Sequence, residues 1–231
     1  MRDVVKRVVL DVDTGIDDAL ALLYAVAHPE LDLGAVTCVS GNVALRQVVR
    51  NTCFVLDLAQ ASAVPVGPGA DATLVGQGPR LGHRHGANGL GDLPVQASGR
   101  EPQPDTAVEL LSDRLRHAEQ PVTLLALAPQ TNLAMLVPDH LEQIAGTVEK
   151  LIFVGGRLAK VDPAEPAEFN VGMTRRPPPS SSGQPGCRST CTAWMSSIRW
   201  SYLRLRPCDW LSPTSRRFGL RASCCGHGVA G

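Results

Sequence analysis

Short apolar runs alternate, over the first two thirds of the chain, with longer stretches in which apolar residues recur at helical spacing. Residues 8–12 form the first run, and a helical pattern follows from Asp17 onward. Residues 33–39 then predict a second strand, and residues 44–59 predict an amphipathic helix. This succession of strand, turn and helix is typical of an α/β protein with a parallel sheet.

The same alternation continues further along the chain. Residues 106–117 have helical spacing, residues 122–128 and 150–154 predict two more strands, and a helix opens at residues 129–132. Residues 63–104 are rich in Gly, Pro and His and are predicted to form a long loop region. We therefore predict an α/β fold with an open, mostly parallel sheet flanked by helices.

Four aspartates lie where the first predicted strand passes into its helix, namely Asp11, Asp13, Asp17 and Asp18. Carboxylates held together repel one another unless a positive group lies among them, and Ca²⁺ and Mg²⁺ both prefer such ligands. Ligands of open α/β sheets bind at the carboxyl ends of the strands. We therefore expect one site to collect Asp13, Asn42, Thr131 and the turn at Gly155-Gly156. A simpler alternative makes Asp17 or Asp18 the N-cap of the helix.

Composition divides the chain into two unlike parts. The 231 residues have no formal net charge, yet residues 1–171 hold 13 basic and 21 acidic residues. Residues 172–231 hold nine arginines and one acid, with five of the seven cysteines and all three tryptophans. We predict a domain over 1–171 and an aberrant tail over 172–231. The chain shows no signal-peptide pattern and no apolar run that could span a bilayer, so a cytoplasmic protein is expected.

The motif D-x-D-x-G-x-D-D at residues 11–18 resembles the signature of the inosine-uridine preferring nucleoside hydrolases. Further matches occur in the order of that family, at Gly41-Asn42-Val43, His85-Gly86, Pro129 with Thr131-Asn132, Gly155-Gly156 and Glu168-Phe169-Asn170-Val171. The resemblance covers residues 11–171 and implies a Rossmann-like nucleoside hydrolase fold. It also implies hydrolysis of ribonucleosides to a free base and ribose, with one bound Ca²⁺.

The resemblance assigns a role to each matched residue. Asp13 would contact the metal and act as general base, Asp18 would be a metal ligand, and Thr131 would offer its backbone carbonyl. The ribose would be held by Asp17, Asn42, Glu168 and Asn170, with His85 near the nucleoside. The implied partner is a small-molecule nucleoside rather than a nucleic acid or a membrane, and an intact family member could form a homo-oligomer.

Each of these residues also has a simpler interpretation. Asn42 and the Thr131-Asn132 pair could be helix caps or turn residues, and His85 in a glycine-rich loop could be solvated. Glu168 could be a surface acid. A competing enzyme class is the haloacid-dehalogenase-like phosphatases, in which Asp11 would be the nucleophile and Asp13 the acid/base, with Mg²⁺. That class does not need the Asp17-Asp18 pair.

The resemblance ends abruptly after Val171. Codons for the family-like continuation Trp-His-Asp-Pro-Glu-Ala-Ala-Ala, when translated one base late, give Gly-Met-Thr-Arg-Arg-Pro-Pro, which is the sequence found from Gly172. We therefore hypothesise that residues 172–231 are an out-of-frame, disordered tail. The family's distal histidine and calcium-binding aspartate have no match there. An impaired or inactive enzyme, or a non-catalytic defective gene product, is the expected consequence.

Two other uses of the tail are weakly supported by the sequence. Its arginines could bind nucleic acid, but they form no recognised module. Cys187 and Cys191 have a C-x3-C spacing that could bind zinc, but the remaining cysteines follow irregularly.

Overall fold

The computed structural model describes residues 5–74, 83–155 and 169–174. Within them, five parallel strands form one sheet in the order β3-β2-β1-β4-β5. The strands are β1 (Lys6–Val12), β2 (Leu31–Cys38), β3 (Val66–Pro68), β4 (Val122–Ala126) and β5 (Val148–Phe153). The helices are α1 (Ile16–Ala27), α2 (Leu45–Leu58), α3 (Ala107–Arg116), α4 (Thr131–Thr147) and α5 (Phe169–Met173), and a 3₁₀ turn spans His83–His85. The predicted fold class is confirmed.

Helices cover both faces of the sheet because successive side chains of its central strand point to opposite sides. Leu10 of β1 packs in one buried cluster with Leu22 of α1 and Leu56 of α2. Its neighbour Val9 packs in a second cluster, with Leu111 of α3 among others. β1 is thus buried on both sides, and its carboxyl end lies in the middle of the sheet edge.

The strand β3 lies inside the segment that the sequence predicted to be a loop. Val66–Pro68 pairs with β2 at the edge of the sheet, through Val36–Cys38. Three residues are too few to show an alternating pattern, and two of them are Gly67 and Pro68, which are depleted in strands. The prediction for this stretch was wrong for that reason, and the other four strands were predicted within two residues of their ends.

Several sequence predictions concern residues outside the described part. These are the role of Glu168, the turn at Gly156 and the tail from residue 175 to residue 231. Among the residues that are described, no helix combines the length and apolar character needed to cross a membrane.

Candidate functional site

Backbone N–H groups hold two carboxylates of the acidic motif in place. The backbone N–H of Asp13 donates to Oδ2 of Asp18 across 3.1 Å, and the backbone N–H of Asn42 donates to Oδ2 of Asp13 across 2.6 Å. Asp13 and Asp18 are each 3% exposed. The loops that follow β1 and β2 therefore meet at Asp13, as the parallel sheet predicts.

Gly41 allows the loop after β2 to approach this carboxylate. A Cβ at position 41 would lie 2.1 Å from Oδ2 of Asp13, closer than any side chain can tolerate. The glycine of the G-N-V motif is therefore required by the close approach of a backbone to Asp13.

Burial raises the pKa of both Asp13 and Asp18 above the ordinary aspartate value. The negative charges of Asp13 and Asp17 raise the pKa of Asp18 further. The ion pairs formed among the described residues involve other carboxylates, and none includes Asp13 or Asp18. Two buried acids without a cationic partner match the oxygen donors that a hard divalent cation prefers.

The described residues do not by themselves show a metal site. Within the described ranges, no three or more His, Cys, Asp or Glu side chains form a group that could hold a metal ion. The predicted ligands comprise two carboxylates, Asp13 and Asp18, and the backbone carbonyl of Thr131. Thr131 is buried and is the first residue of α4, which follows β4 after a short connection. The ligand set stays a prediction.

Asp11 belongs to a different environment from its neighbours in the motif. It is fully buried, and its Oδ1 accepts hydrogen bonds from Oγ1 of Thr37 at 2.6 Å and from Nδ2 of Asn132 at 2.7 Å. Burial raises the pKa of Asp11 to about 7. A nucleophile must reach the phosphorus of its substrate, and Asp11 lies beneath the sheet edge in contact with protein groups. The structure therefore does not favour the phosphatase alternative.

Asn132 has a structural role that the sequence did not reveal. Besides Asp11, its Nδ2 donates to the carbonyl of Cys38 at 3.0 Å, and its Oδ1 accepts from the N–H of Ala70 at 2.9 Å. Its side chain thus connects β1, the end of β2, the segment after β3 and the start of α4. The cap interpretation is wrong for this residue, because the N-cap of α4 is Gln130.

Three of the predicted substrate-binding residues converge on Gly15, the N-cap of α1. A Cβ at Gly15 would lie 2.7 Å from Nδ2 of Asn42, 3.0 Å from Oδ1 of Asp17 and 3.1 Å from the His85 ring. His85 accepts from the N–H of Ile16 through Nδ1 at 3.3 Å, and its Nε2 lies 3.8 Å from Oδ1 of Asp17. The long loop therefore carries His85 to the acidic motif.

The observed N-caps of α1 and α2 exclude the interpretation of Asp17, Asp18 or Asn42 as helix caps. Gly15 caps α1 without a side-chain hydrogen bond, so neither Asp17 nor Asp18 is its N-cap. Both lie in the first turn of α1, where the helix dipole favours negative charge. Asn42 does not cap α2 either, because the N-cap of that helix is Ala44.

Asn170 lies at the same edge of the sheet, at the ends of β4 and β5. Its Nδ2 donates to the carbonyls of Leu127 and Val154, at 3.2 and 3.1 Å. Close by, the hydroxyl of Thr174 accepts from the N–H of Gln130 at 2.8 Å. The structure thus brings Asn170 to the expected edge, while its predicted contact with ribose stays a prediction.

Asn51 is a further residue that the sequence analysis missed. It lies on the buried face of α2, and its side chain donates to the carbonyls of Thr14 and Asn88. An amide on an otherwise apolar helix face, flanked by Val48 and Val55, was the available signal.

Comparison with known proteins gives one consistent result. The sequence model of the family described as inosine-uridine preferring nucleoside hydrolase matches residues 8–173. The chain is 37% identical over 164 residues to the pyrimidine-specific ribonucleoside hydrolase RihA of Salmonella arizonae, covering 71% of this chain and 52% of that protein. It is 36% identical over 166 residues to RihA of Shewanella sp. strain MR-7, covering 72% and 52%.

Solved structures agree with the sequence comparison. A purine-preferring ribonucleoside hydrolase from Gardnerella vaginalis superposes with a TM-score of 0.66 at 29% identity, over 73% of this chain and 54% of that one. A plant nucleoside hydrolase superposes with a TM-score of 0.65 at 34% identity, with the same coverage. The chain spans about half the length of the curated relatives it matches. On these matches, it belongs to the inosine-uridine preferring nucleoside hydrolase family.

Proposed function

We propose that the described residues form the metal-binding and ribose-binding half of a ribonucleoside N-glycosidase site. The observation that carries the proposal is the convergence of the buried Asp13–Asp18 pair with Asn42, Asp17 and His85 around Gly15. The relatives are named for pyrimidine-specific and for purine-preferring activity, so the proposal extends to ribonucleosides as a class.

Asp13, Asp18 and the carbonyl of Thr131 are the proposed ligands of Ca²⁺. The donor set fits a hard cation, since it consists of oxygen atoms and its two carboxylates have no cationic partner among the described residues. When bound, such a cation would lower the pKa of a water molecule that it coordinates.

The protein groups then act on the water and on the sugar. The carboxylate of Asp13 accepts a proton from the water as the water oxygen attacks the anomeric carbon. The bond from that carbon to the base nitrogen breaks, and its electron pair leaves with the base. Asp17, Asn42 and Asn170 hold the ribose hydroxyls, and their oxygen atoms stabilise the positive charge that develops on the sugar. Glu168, which lies outside the described residues, is proposed for the same role. A site built on hydroxyl contacts rejects sugars that lack those hydroxyls.

We also propose that this chain has little turnover of its own. The family match ends at residue 173, and the arginine-rich segment beyond it has the composition expected of out-of-frame translation. Fewer anionic ligands weaken Ca²⁺ binding, because affinity depends on the charge of the ligands. Sequencing the coding DNA around codon 171 tests the frame. A single intact frame, with related chains sharing the tail, would contradict the proposal.

Calorimetric titration tests the half-site on the purified chain. We expect Ca²⁺ to bind, inosine or uridine to bind when Ca²⁺ is present, and Asp13→Asn to weaken both. Absence of Ca²⁺ binding in the unaltered chain would refute the site. Release of free base at a rate close to that of a full-length relative would refute the impairment. Mg²⁺-dependent hydrolysis of p-nitrophenyl phosphate would support the phosphatase alternative instead.

A further inference from the structure

The loop of residues 86–93, which follows His85, is a compact turn that is fixed largely by its own polar groups. Oδ1 of Asn88 accepts from the N–H groups of Leu90 and Asp92, at 2.8 and 3.0 Å. Oδ1 of Asp92 accepts from the N–H of Ala87 at 2.6 Å. Positive φ angles occur at four positions, namely Gly86, Gly89, Gly91 and Asp92. The loop therefore has a definite shape that could be placed as one unit.

Asn51 of α2 fastens this loop to the acidic motif. Its side chain is fully buried, and its two amide hydrogens are directed to two carbonyls: Asn88 at 2.8 Å and Thr14 at 3.2 Å. Its Oδ1 accepts from Nε2 of Gln47 at 2.8 Å. One amide thus bridges the loop of residues 86–93 and the turn between Asp13 and Gly15.

The two backbones lie close together at this bridge. Gly89 has a φ of +84°, and a Cβ there would lie 3.0 Å from Nδ2 of Asn51 and 3.3 Å from the carbonyl of Thr14. A side chain at position 89 would push the loop away from the motif. The bridge therefore requires both the amide of Asn51 and the glycine opposite it.

The position of the loop also determines the position of His85, because the two are joined by a hydrogen bond. The N–H of Gly91 donates to the carbonyl of His85 at 2.7 Å, which closes the loop on that residue. The ring of His85 in turn accepts from the N–H of Ile16 at 3.3 Å, beside Asp17. Movement of the loop relative to Thr14 would displace the imidazole from the start of α1.

We propose that Asn51 is a positioning residue, which sets the place of His85 at the nucleoside site by tying the loop of residues 86–93 to the Thr14 carbonyl. The structural part of this inference depends on the contacts alone. The effect on nucleoside binding rests on the proposed function. The competing explanation is that Leu90, which is 7% exposed and packs in the core, holds the loop without help from Asn51.

The test compares Asn51→Ala with Thr52→Val in the full chain. Thr52 is the neighbouring buried residue of α2, and the hydrogen bonds of its hydroxyl go to Thr14 at 2.6 Å, to Cys38 and to the carbonyl of Val48. Without ligand, we would measure backbone hydrogen exchange of residues 86–93 and the imidazole NMR signals of His85. The His85 signals are those that disappear in the His85→Gln variant. Inosine binding is measured by calorimetry in Ca²⁺.

We expect Asn51→Ala to accelerate exchange in the loop about tenfold or more, because a buried hydrogen-bonded bridge is lost. We also expect its His85 signals to move toward those of a free histidine. Thr52→Val should lower the melting temperature while loop exchange and His85 stay unchanged. Unchanged exchange in Asn51→Ala, or equal acceleration in both variants, would overturn the proposal.

The calorimetry separates this inference from the proposed function. If the unaltered chain binds inosine, Asn51→Ala should weaken that binding about tenfold, whereas Thr52→Val should weaken it far less. If the unaltered chain binds no nucleoside, the proposed function fails, while the ligand-free exchange and NMR measurements still decide the role of Asn51.

Discussion

Two groups of polar side chains lie at the same end of β1 and have opposite surroundings. The inner cluster, Asp11 with Thr37 and Asn132, is buried, and one oxygen of Asp11 accepts two hydrogen bonds from protein side chains. The site rim consists of Asp13 and Asp18, which are joined by a hydrogen bond, and of Asp17, Asn42 and His85, which lie around Gly15. It reaches the surface, where the side chain of Asp17 is 76% exposed.

The difference shows that neighbouring carboxylates of one motif can serve the fold and the site separately. The hydrogen bonds of the inner cluster join β1, β2 and α4, so its loss should affect folding. At the rim, Asp13 and Asp18 are held chiefly by backbone N–H groups, and these contacts leave their negative charge without a cationic partner among the described residues. Loss of a rim side chain should therefore affect ligand binding more than stability.

The largest expected effect of a single substitution is the loss of stability in Asn132→Ala. This substitution leaves the Asp11 carboxylate, the Cys38 carbonyl and the Ala70 N–H without their common partner. We expect the free energy of unfolding to fall by about 3 kcal/mol, since several buried polar groups lose hydrogen bonds together. Urea denaturation measures the change.

Thr37→Val is the matched control for Asn132→Ala. It removes only the other hydrogen bond to Oδ1 of Asp11 and keeps the side-chain volume, so a loss of about 1 to 2 kcal/mol is expected. A loss below 1 kcal/mol in Asn132→Ala would show that the inner cluster does not hold the sheet edge together.

A second effect is a decrease in stability with rising pH when a chelator removes divalent cations. Asp11 has a pKa near 7 in the folded chain because of its burial, and the pKa values of Asp13 and Asp18 are also raised. The folded state then binds more protons than the unfolded state, whose aspartates titrate near 4. Stability should fall as pH rises from about 4 to about 8, by on the order of 4 kcal/mol for Asp11 alone, and then level off.

Asp11→Asn isolates the contribution of the inner carboxylate to this pH dependence. The amide does not ionise, so the decrease between pH 4 and 7 should be smaller in the variant. Titrating groups that do not interact with Asp11 contribute equally to both chains and cancel in the difference, whereas the charge of Asp13 raises the pKa of Asp11 and belongs to the effect that is measured. An identical slope in the variant would contradict the raised pKa of Asp11.

The third effect concerns the rim, where Asp18→Asn should weaken Ca²⁺ binding about tenfold or more. The substitution removes one negative charge from the proposed ligands and keeps the shape of the side chain. Asp17→Asn is the control, because Asp17 lies in the same helical turn but is largely exposed. Isothermal calorimetry should show a smaller change for Asp17→Asn, and equal changes would remove Asp18 from the proposed ligands.

The sequence was sufficient for the class of fold and for the sheet edge at which the predicted site residues lie. Apolar periodicity predicted four strands and the helices between them, and the parallel sheet placed Asp13, Asn42 and Thr131 at one edge. The signal was local in each case, since a strand or an amphipathic helix is visible within about ten residues.

The sequence was insufficient for roles that depend on tertiary contacts. Asn132 bonds to Asp11 from 121 residues away, and no local pattern distinguishes such an amide from a turn residue. Asn51 was overlooked because its partners, Thr14 and Asn88, belong to other segments. β3 was missed because three residues carry no periodicity, although its pairing with β2 is clear in space.

Asn42→Ala is expected to change stability least of these substitutions. It therefore tests whether the site rim contributes less to stability than the inner cluster does. The hydrogen bond from residue 42 to Asp13 uses the backbone N–H, which alanine retains. We expect the free energy of unfolding to change by less than about 0.5 kcal/mol, whereas inosine binding in Ca²⁺ should weaken about tenfold because the side-chain amide is lost. Urea denaturation and calorimetry on the same preparation give both values. A stability loss as large as that of Asn132→Ala would contradict this expectation. It would mean that the side chain of Asn42 stabilises the fold and that the hydrogen bond from its backbone N–H to Asp13 is not sufficient.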